Sequence, residues 1–444
     1  MIFRLRDYAW NPFEIKRFRD FLEVSQQWDA AQRRAWVQER LDETLRHAVR
    51  RVPYYRRTLR CFEADFAGMI ERLDLSPLPI LTKEQVRRHY RELIAEDAAA
   101  YHPTETHTSG SSGTPTRFLL ARKCHVVQFA SIWRVLNWAG YRFGDRFADL
   151  TGYLPRNDGL FAYNPRLNCL HLSSSNFKRE NIGICVARLR KFNARLFKGY
   201  PSALDLLCRW MRETDADLVY RPPAVITCAE TLLDHQRRTI EEVLQCPVFD
   251  FYNQNERVAL ISTCEQGTYH VHPEYSHVEY EQPDTDGFGS PLFATTFHNR
   301  AMPLIRYHTG DLVKQSAAAA CGCGRSFAAV AQIIGRVEDV VVTPDGRHVG
   351  RLDRAFQWSS GVRLGQVVQD TVEAIRVRVV KASNFQRRDV DTIERELRAR
   401  LGDRIGIEFE FVDTIEPGPN GKIKFVVSVP GRQALGAGAR PGGS

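Results

Sequence analysis

Residues 224–230, AVITCAE, form an apolar run of strand length that ends in small and acidic residues, and a helical period over 233–244 follows it. The same strand-length pattern returns in PVFDFYNQNE at 247–256, where a second strand-then-helix unit is expected. Alternation of this kind restricts a chain to an α/β sheet with helices packed on its faces. Helical periods over 125–138, carrying Trp133 and Trp138, and over 186–197 supply such covers. Ligands of open α/β sheets gather beyond the carboxyl ends of the strands. That rule puts Ala229, Glu230, Tyr252, Asn255 and Glu256 at the expected site.

After Arg336 the pattern changes. Ile375, Val377 and Val379 alternate with arginines, Val390, Ile393, Leu397 and Leu401 recur at helical spacing, and Ile407, Phe409 and Phe411 alternate with glutamates. Ile423, Phe425 and Val427 then follow a Pro-Asn-Gly turn, which completes a small α+β domain. The expected organisation is a large α/β domain over 1–336, a small α+β domain over 337–430 and a Gly-rich disordered tail over 431–444.

At 444 residues the chain exceeds the size at which single cores stop growing, so more than one domain is expected. No run of eighteen apolar residues suggests a membrane span, and the N-terminus has no signal-peptide pattern. The ten cysteines lie mostly singly in apolar contexts, as in a reduced, cytoplasmic protein. The formal charge of +9 points to anionic small molecules rather than nucleic acid, since Arg33, Arg34, Arg40, Arg46, Arg50 and Arg51 occupy the solvated face of one helix. That helix, over 29–52, buries Val37, Leu41, Leu45, Ala48 and Val52 and stops at Pro53; a further helix is capped by Thr82, with Glu84 in its first turn.

The densest run of small and hydroxylated residues is HTSGSSGTPTRF at 107–118. Gly110 and Gly113 allow successive N–H groups to converge on one anion, and Thr108, Ser109, Ser111, Ser112 and Thr114 add hydroxyl donors. A Walker loop would need Lys and then Ser or Thr after its last glycine, and Gly113 is followed by Thr114-Pro115 instead. A second constellation joins Cys321 and Cys323 of CGCGR to Cys264 and His270 of CEQGTYH, a donor set that suits a closed tetrahedral Zn²⁺ site, with His272 as the alternative to His270.

In order, TSGSSGTPT, CAE, YNQNE, RYHTGD, GRVED and NGK resemble the signatures of the adenylate-forming superfamily, and within it the phenylacetate-CoA ligase, CapK-like and coenzyme F390 synthetase branch. The resemblance implies an ATP- and Mg²⁺-dependent enzyme that adenylates a carboxylic acid, aromatic acids among the candidates, and passes the acyl group to coenzyme A. It implies that Thr108 to Thr114 hold the β and γ phosphates and that Ala229, Glu230, Tyr252, Asn253, Asn255, Asp311 and Arg336 line the nucleotide. Tyr252 would stack on adenine and Asp311 would accept the ribose hydroxyls. Glu256 would take Mg²⁺, Lys422 would act in adenylation with Lys424 as its competitor, and Glu338–Asp339 would form the hinge of a mobile small domain.

Asn255 departs from the family's Thr or Ser before the glutamate, and Asn253 stands where Gly is frequent, which would narrow the acyl pocket. Trp133, Trp138 and Tyr200 are further candidates for that pocket. The acyl acceptor could also be an amine, and AMP itself could be transferred to a hydroxyl. A nucleotide-binding module without turnover is the non-enzyme alternative. No nucleic-acid or membrane partner is expected, and a homodimer is left open.

Overall fold

A computed structural model of the chain describes residues 12–107, 116–151, 159–173, 179–280, 289–316, 321–336, 341–345, 348–349, 352–356, 359, 361–416 and 423–430. It forms two compact units, Met1–Gly140, Phe251–Gln282 and Ser290–Ile333 in the first, Tyr141–Asp250, Pro283–Gly289 and Ile334–Ser444 in the second. No described helix is long and apolar enough to cross a membrane.

In the first unit the helix Ala30–Arg51 begins at Asp29, whose side chain accepts from the Gln32 N–H while Gln32 returns a bond to the Asp29 backbone. Leu41, Leu45 and Ala48 are fully buried. Val52 is extended, as a residue before proline prefers, and Pro53 then opens a second short helix, Pro53–Thr58. Thr82 caps Lys83–Arg88, with Gln85 as its reciprocal partner.

The strands of this unit run, edge to edge, Ser276–Tyr280, Ser290–Thr296, Tyr307–Gln315, residues 329–333, Tyr269–Val271, Leu260–Thr263 and then residues 251–253. The strand Val248–Asn253 is therefore followed by antiparallel strands and not by the expected helix. The reason is local. The Arg257 N–H donates to the Gln254 carbonyl at 3.1 Å and Arg257 takes a left-handed φ of 55°, so residues 254–257 turn the chain back on itself. Behind the sheet, fully buried Arg134 on the helix Arg122–Trp138 makes a bidentate pair with Glu274 at 2.8 and 3.0 Å. Burial opposes ionisation of Glu274, but the charge of Arg134 and hydrogen bonds from Arg134 and Ser25 outweigh it and hold the carboxyl below its ordinary value.

In the second unit Ala224–Cys228, Leu196–Gly199, Phe147–Leu150 and Cys169–Leu172 are parallel neighbours, closed by antiparallel Phe161–Asn164. The helical period over 186–197 is really two elements. Asn193 adopts a left-handed φ of 52° and ends the helix Ile182–Phe192, after which Leu196–Gly199 enters the sheet with every residue buried. The later residues form the expected α+β piece, strands Gly406–Phe411, Ala374–Lys381, Val362–Thr371 and Val426–Ser428 in that order. Ile393, Leu397 and Leu401 of the helix Arg387–Leu401 pack on Val367, Val377 and Val379 of this sheet.

His171, Asp149 and Lys198 are register partners on three neighbouring parallel strands of the second unit. Lys198 Nζ lies 3.0 Å from Asp149 Oδ2, and both residues are buried. Burial raises the Asp149 pKa, yet the positive charge of Lys198, aided by His171, brings it below the ordinary value. A depressed carboxylate stabilises the fold above its unfolded pKa, and that contribution is lost as pH falls through the folded value. Lys198→Met leaves Asp149 as a buried charge without its main partner, so urea unfolding at pH 7 should show a loss of about 3–5 kcal/mol. The deficit should shrink as the pH is lowered and Asp149 takes a proton. Equal stability of variant and parent at pH 7 would contradict this account of the pair.

Candidate active site

The site of the first unit is built where the strand Val248–Asn253 gives way to the turn at 254–257 and where a bulge interrupts Tyr307–Gln315. Phe293 pairs with His308 and Pro291 with Leu312, so Thr309, Gly310 and Asp311 together stand opposite Leu292. Gly310 takes a φ of 80°, which the bulge requires and which favours glycine. Thr309 Oγ1 donates to the Leu292 carbonyl at 2.9 Å and accepts from the Asp311 N–H at 3.1 Å, fixing the direction of Asp311. The Thr-Gly-Asp sequence thus re-aims one carboxylate out of the strand's ordinary alternation.

Asp311 meets Tyr252, whose hydroxyl lies 2.5 Å from Asp311 Oδ2. Burial first, and then the neighbouring Asp311 carboxylate, push the Tyr252 phenol well above its ordinary value, so it stays protonated and donates. The Gln254 amide donates to the same hydroxyl, and Gln254 Oε1 accepts from the Ala259 N–H at 3.1 Å. Glu256 on the turn is only 4% exposed, and Tyr307 donates its hydroxyl to Glu256 Oε1 at 3.0 Å. Tyr307 in turn meets Phe118 edge-on at 6.0 Å. Asn255 Nδ2 donates to the His107 carbonyl at 3.1 Å, so this amide ties the turn to the first residue of the 107–118 run. That hold on His107 gives the departure from Thr or Ser a physical use.

Of the expected site residues, Tyr252, Asn253, Asn255, Glu256 and Asp311 lie in the first unit, with Asn253 paired to Leu260 in the sheet. Ala229 and Glu230 belong to the second. Ala229 has a left-handed φ of 68°, and Glu230 Oε2 accepts from the Ser202 N–H at 3.1 Å, at the start of the helix Pro201–Glu213. In the same unit Gly335, with a φ of 108°, lies so close to Thr231 that a β-carbon would stand 2.5 Å from its hydroxyl oxygen. This contact brings the Gly-Arg and Cys-Ala-Glu segments together. Thr108, Ser109, Gly110, Ser111, Ser112, Gly113, Thr114, Glu338, Asp339, Lys422 and the side chain of Arg336 lie outside the described residues. Lys424 precedes the strand Val426–Ser428, so it is not an alternating strand residue as the sequence suggests; its carbonyl accepts from Gln366 at 2.8 Å.

The second constellation is also assembled. Cys264, His270, Cys321 and Cys323 present donor atoms within 4.8 Å of one another. Cys264 starts the turn between Leu260–Thr263 and Tyr269–Val271, where Gly267 takes a φ of 74°, and His270 returns on the second strand. The Cys264 and Cys321 sulfurs are 3.7 Å apart, and Cys323 Sγ is 3.4 Å from His270 Nε2. Sulfurs ~2.3 Å from a tetrahedral Zn²⁺ would stand about 3.8 Å apart, so the donors fit such an ion. His272 is not among them: its ring nitrogens meet Arg134 at 2.6 Å and Ser262 at 2.8 Å. Burial, and then the Arg134 charge, hold His272 well below its ordinary pKa. Trp138 stacks on His272, and Arg325 lies 4.0 Å over the Trp138 ring while it pairs with Glu265. These contacts place Trp138 beside the Cys/His cluster. Trp133 is buried against Phe129.

Tyr307, Gln254 and Arg325 are site-building residues that the sequence reading did not single out. Tyr307 and Gln254 lie inside the RYHTGD and YNQNE signatures, and Arg325 ends CGCGR.

Residues 341–429 match the CapK C-terminal domain family. The protein CapK of Staphylococcus aureus is 24% identical over 364 residues, 80% of each chain. The phenylacetate-coenzyme A ligase of Thermus thermophilus is 26% identical over 331 residues, 70% of this chain and 71% of that one. Among solved structures, 2-hydroxyisobutyryl-CoA ligase in the postadenylation state, in complex with R3-HIB-AMP, superposes with a TM-score of 0.67 at 18% identity over 92% of both chains. The chain has the adenylate-forming fold. With it comes sequence kinship to CapK and to the phenylacetate-CoA ligases, as the ordered motifs imply.

Gly335→Ala should cost stability twice, through the positive φ and through the approach to Thr231. Thermal and urea unfolding should show a loss of about 2 kcal/mol, partly restored by adding Thr231→Ala. An unchanged midpoint would contradict the close packing of the two segments.

Proposed function

We propose that this adenylate-forming protein converts a carboxylic acid to an acyl-adenylate at the expense of ATP and then transfers the acyl group to coenzyme A. The observation that carries the reading is the pairing of Tyr252 with Asp311 and of Tyr307 with Glu256, two contacts that join two separate signatures at buried carboxylates. Kinship to phenylacetate-coenzyme A ligases and likeness to a CoA ligase that binds an acyl-AMP support the same chemistry.

A carboxylate is a poor electrophile, and its oxygen must attack the α-phosphorus of ATP in line with departing pyrophosphate. Such a step needs positioning and charge neutralisation rather than covalent help from the protein. In this reading Asp311 accepts the ribose hydroxyls through two oxygens, Tyr252 presents its ring to adenine, and residues 108–116 hold the β and γ phosphates. Glu256 is the oxygen ligand for Mg²⁺, which would neutralise charge on the phosphates. Asn253 and Asn255 of the first unit are read as further nucleotide contacts, and the family resemblance assigns Ala229, Glu230 and Arg336 to the same ligand. The role read for Lys422 is to neutralise charge developing on the α-phosphate during adenylation, and the role read for Glu338–Asp339 is the hinge of a small domain of 337–430 between the half-reactions. Attack of the coenzyme A thiolate on the acyl carbon then releases AMP. The Cys264, His270, Cys321 and Cys323 set is read as a closed structural Zn²⁺ site, since four protein donors leave no open position for chemistry.

Pyrophosphate release from ATP, measured across aryl, fatty, hydroxy and sugar acids with and without coenzyme A, tests the reading. Acid-dependent release with formation of an acyl-CoA is expected. Release with no thioester would redirect the acyl group to an amine, or AMP to a hydroxyl, and silence across the panel with ATP still bound would favour a module without turnover. For the metal, Cys321→Ser should lower zinc content and thermal midpoint together; a zinc-free parent protein of the same midpoint would remove the site.

A further inference from the structure

The two carboxylates of the site are tied by a reciprocal pattern. Tyr252, from the segment that carries Glu256, donates to Asp311; Tyr307, from the segment that carries Asp311, donates to Glu256. Each tyrosine therefore serves the carboxylate of the other segment. Glu256 and Asp311 are 4% and 5% exposed, a depth at which a polar group needs hydrogen-bond partners and takes its direction from them. Neither hydroxyl is itself loosely held. Gln254 donates to the Tyr252 hydroxyl and is anchored by the Ala259 N–H, while Tyr307 is fully buried, meets Phe118 edge-on and sits beside Leu81 through a backbone bridge.

The geometry points to Tyr307 and Tyr252 as separate positioning residues, Tyr307 orienting Glu256 toward the divalent cation of the nucleotide and Tyr252, kept in place by Gln254, orienting Asp311 toward the ribose. This rests on the adenylation reading of the same site and assigns to two side chains work that the reading leaves to the carboxylates. A residue that merely filled the core would affect cation and sugar recognition together. Two residues that each hold one carboxylate affect them one at a time. Partners that orient a metal ligand from behind typically control metal affinity by one to two orders of magnitude.

Calorimetric titration of the full chain tests the division, with ATP in Mg²⁺, ATP in EDTA, and 2′-deoxy-ATP in Mg²⁺ as the probes. For Tyr307→Phe, affinity in EDTA should match the parent while the gain conferred by Mg²⁺ falls about tenfold or more. The preference for ATP over 2′-deoxy-ATP should be retained. For Tyr252→Phe, the sugar preference should fall roughly tenfold while the Mg²⁺ gain is kept. Parallel losses in both variants, or no change in either, overturn the proposal. Should Tyr307→Phe fail to fold, Tyr252→Phe decides: loss of sugar preference with an intact Mg²⁺ gain supports the division, and any other pattern overturns it. A parent protein that binds no ATP overturns the adenylation reading and this proposal with it. A parent that binds MgATP normally, with both variants unmoved, overturns the proposal alone.

Discussion

Burying a carboxylate is costly unless it is given a donor, and two strand-joining contacts of the first unit meet that demand, Tyr307 for Glu256 and Tyr252 for Asp311. The left-handed turn at Arg257 brings Glu256 back toward Tyr307, and the bulge at Thr309 to Asp311 swings Asp311 toward Tyr252. Gln254 closes the pattern by holding the Tyr252 hydroxyl. These bonds join segments about fifty residues apart in sequence, a separation of 59 for Tyr252 and Asp311 and 51 for Glu256 and Tyr307. Neither segment positions its own carboxylate alone.

The same logic recurs elsewhere in the chain. Arg134 and Glu274 form a fully buried pair that also engages Ser25 and His272, linking the helices Pro12–Ser25 and Arg122–Trp138 to the sheet. By occupying His272, Arg134 separates it from the Cys/His cluster and leaves His270 as the nitrogen donor. In the second unit Lys198 and Asp149 make a buried ion pair across parallel strands beside His171, whose imidazole burial holds below its ordinary pKa. Charge pairing thus shapes which polar groups remain for ligands.

Much of the fold was legible in local pattern. The helix between Asp29 and Pro53, the strand at Ala224–Cys228 and the alternation in Ala374–Lys381 all follow from hydrophobic period and end signals that act within a few residues. The merging of 186–197 into one helix failed because Asn193 breaks the helix through a left-handed cap, a choice that the apolar spacing on either side does not reveal. The helix expected after Asn253 failed because the polar turn at 254–257 returns the chain to an antiparallel neighbour. At the site, Asp311 and Glu256 could be named from their signatures. Tyr307 and Gln254 could not, because their value lies in partners remote in sequence or in a bond that only the folded turn creates. The choice of His270 over His272 likewise depends on Arg134, which is 138 residues from His272 in the chain.

The central claim, that a carboxylate oxygen attacks the α-phosphorus of ATP, is tested most directly by following that oxygen. The acid that best supports pyrophosphate release, labelled with ¹⁸O in its carboxylate, would be turned over with coenzyme A and the nucleotide product analysed by mass spectrometry. The account predicts AMP that carries one ¹⁸O atom from the acid. Label in orthophosphate beside ADP, or AMP free of label, would contradict it.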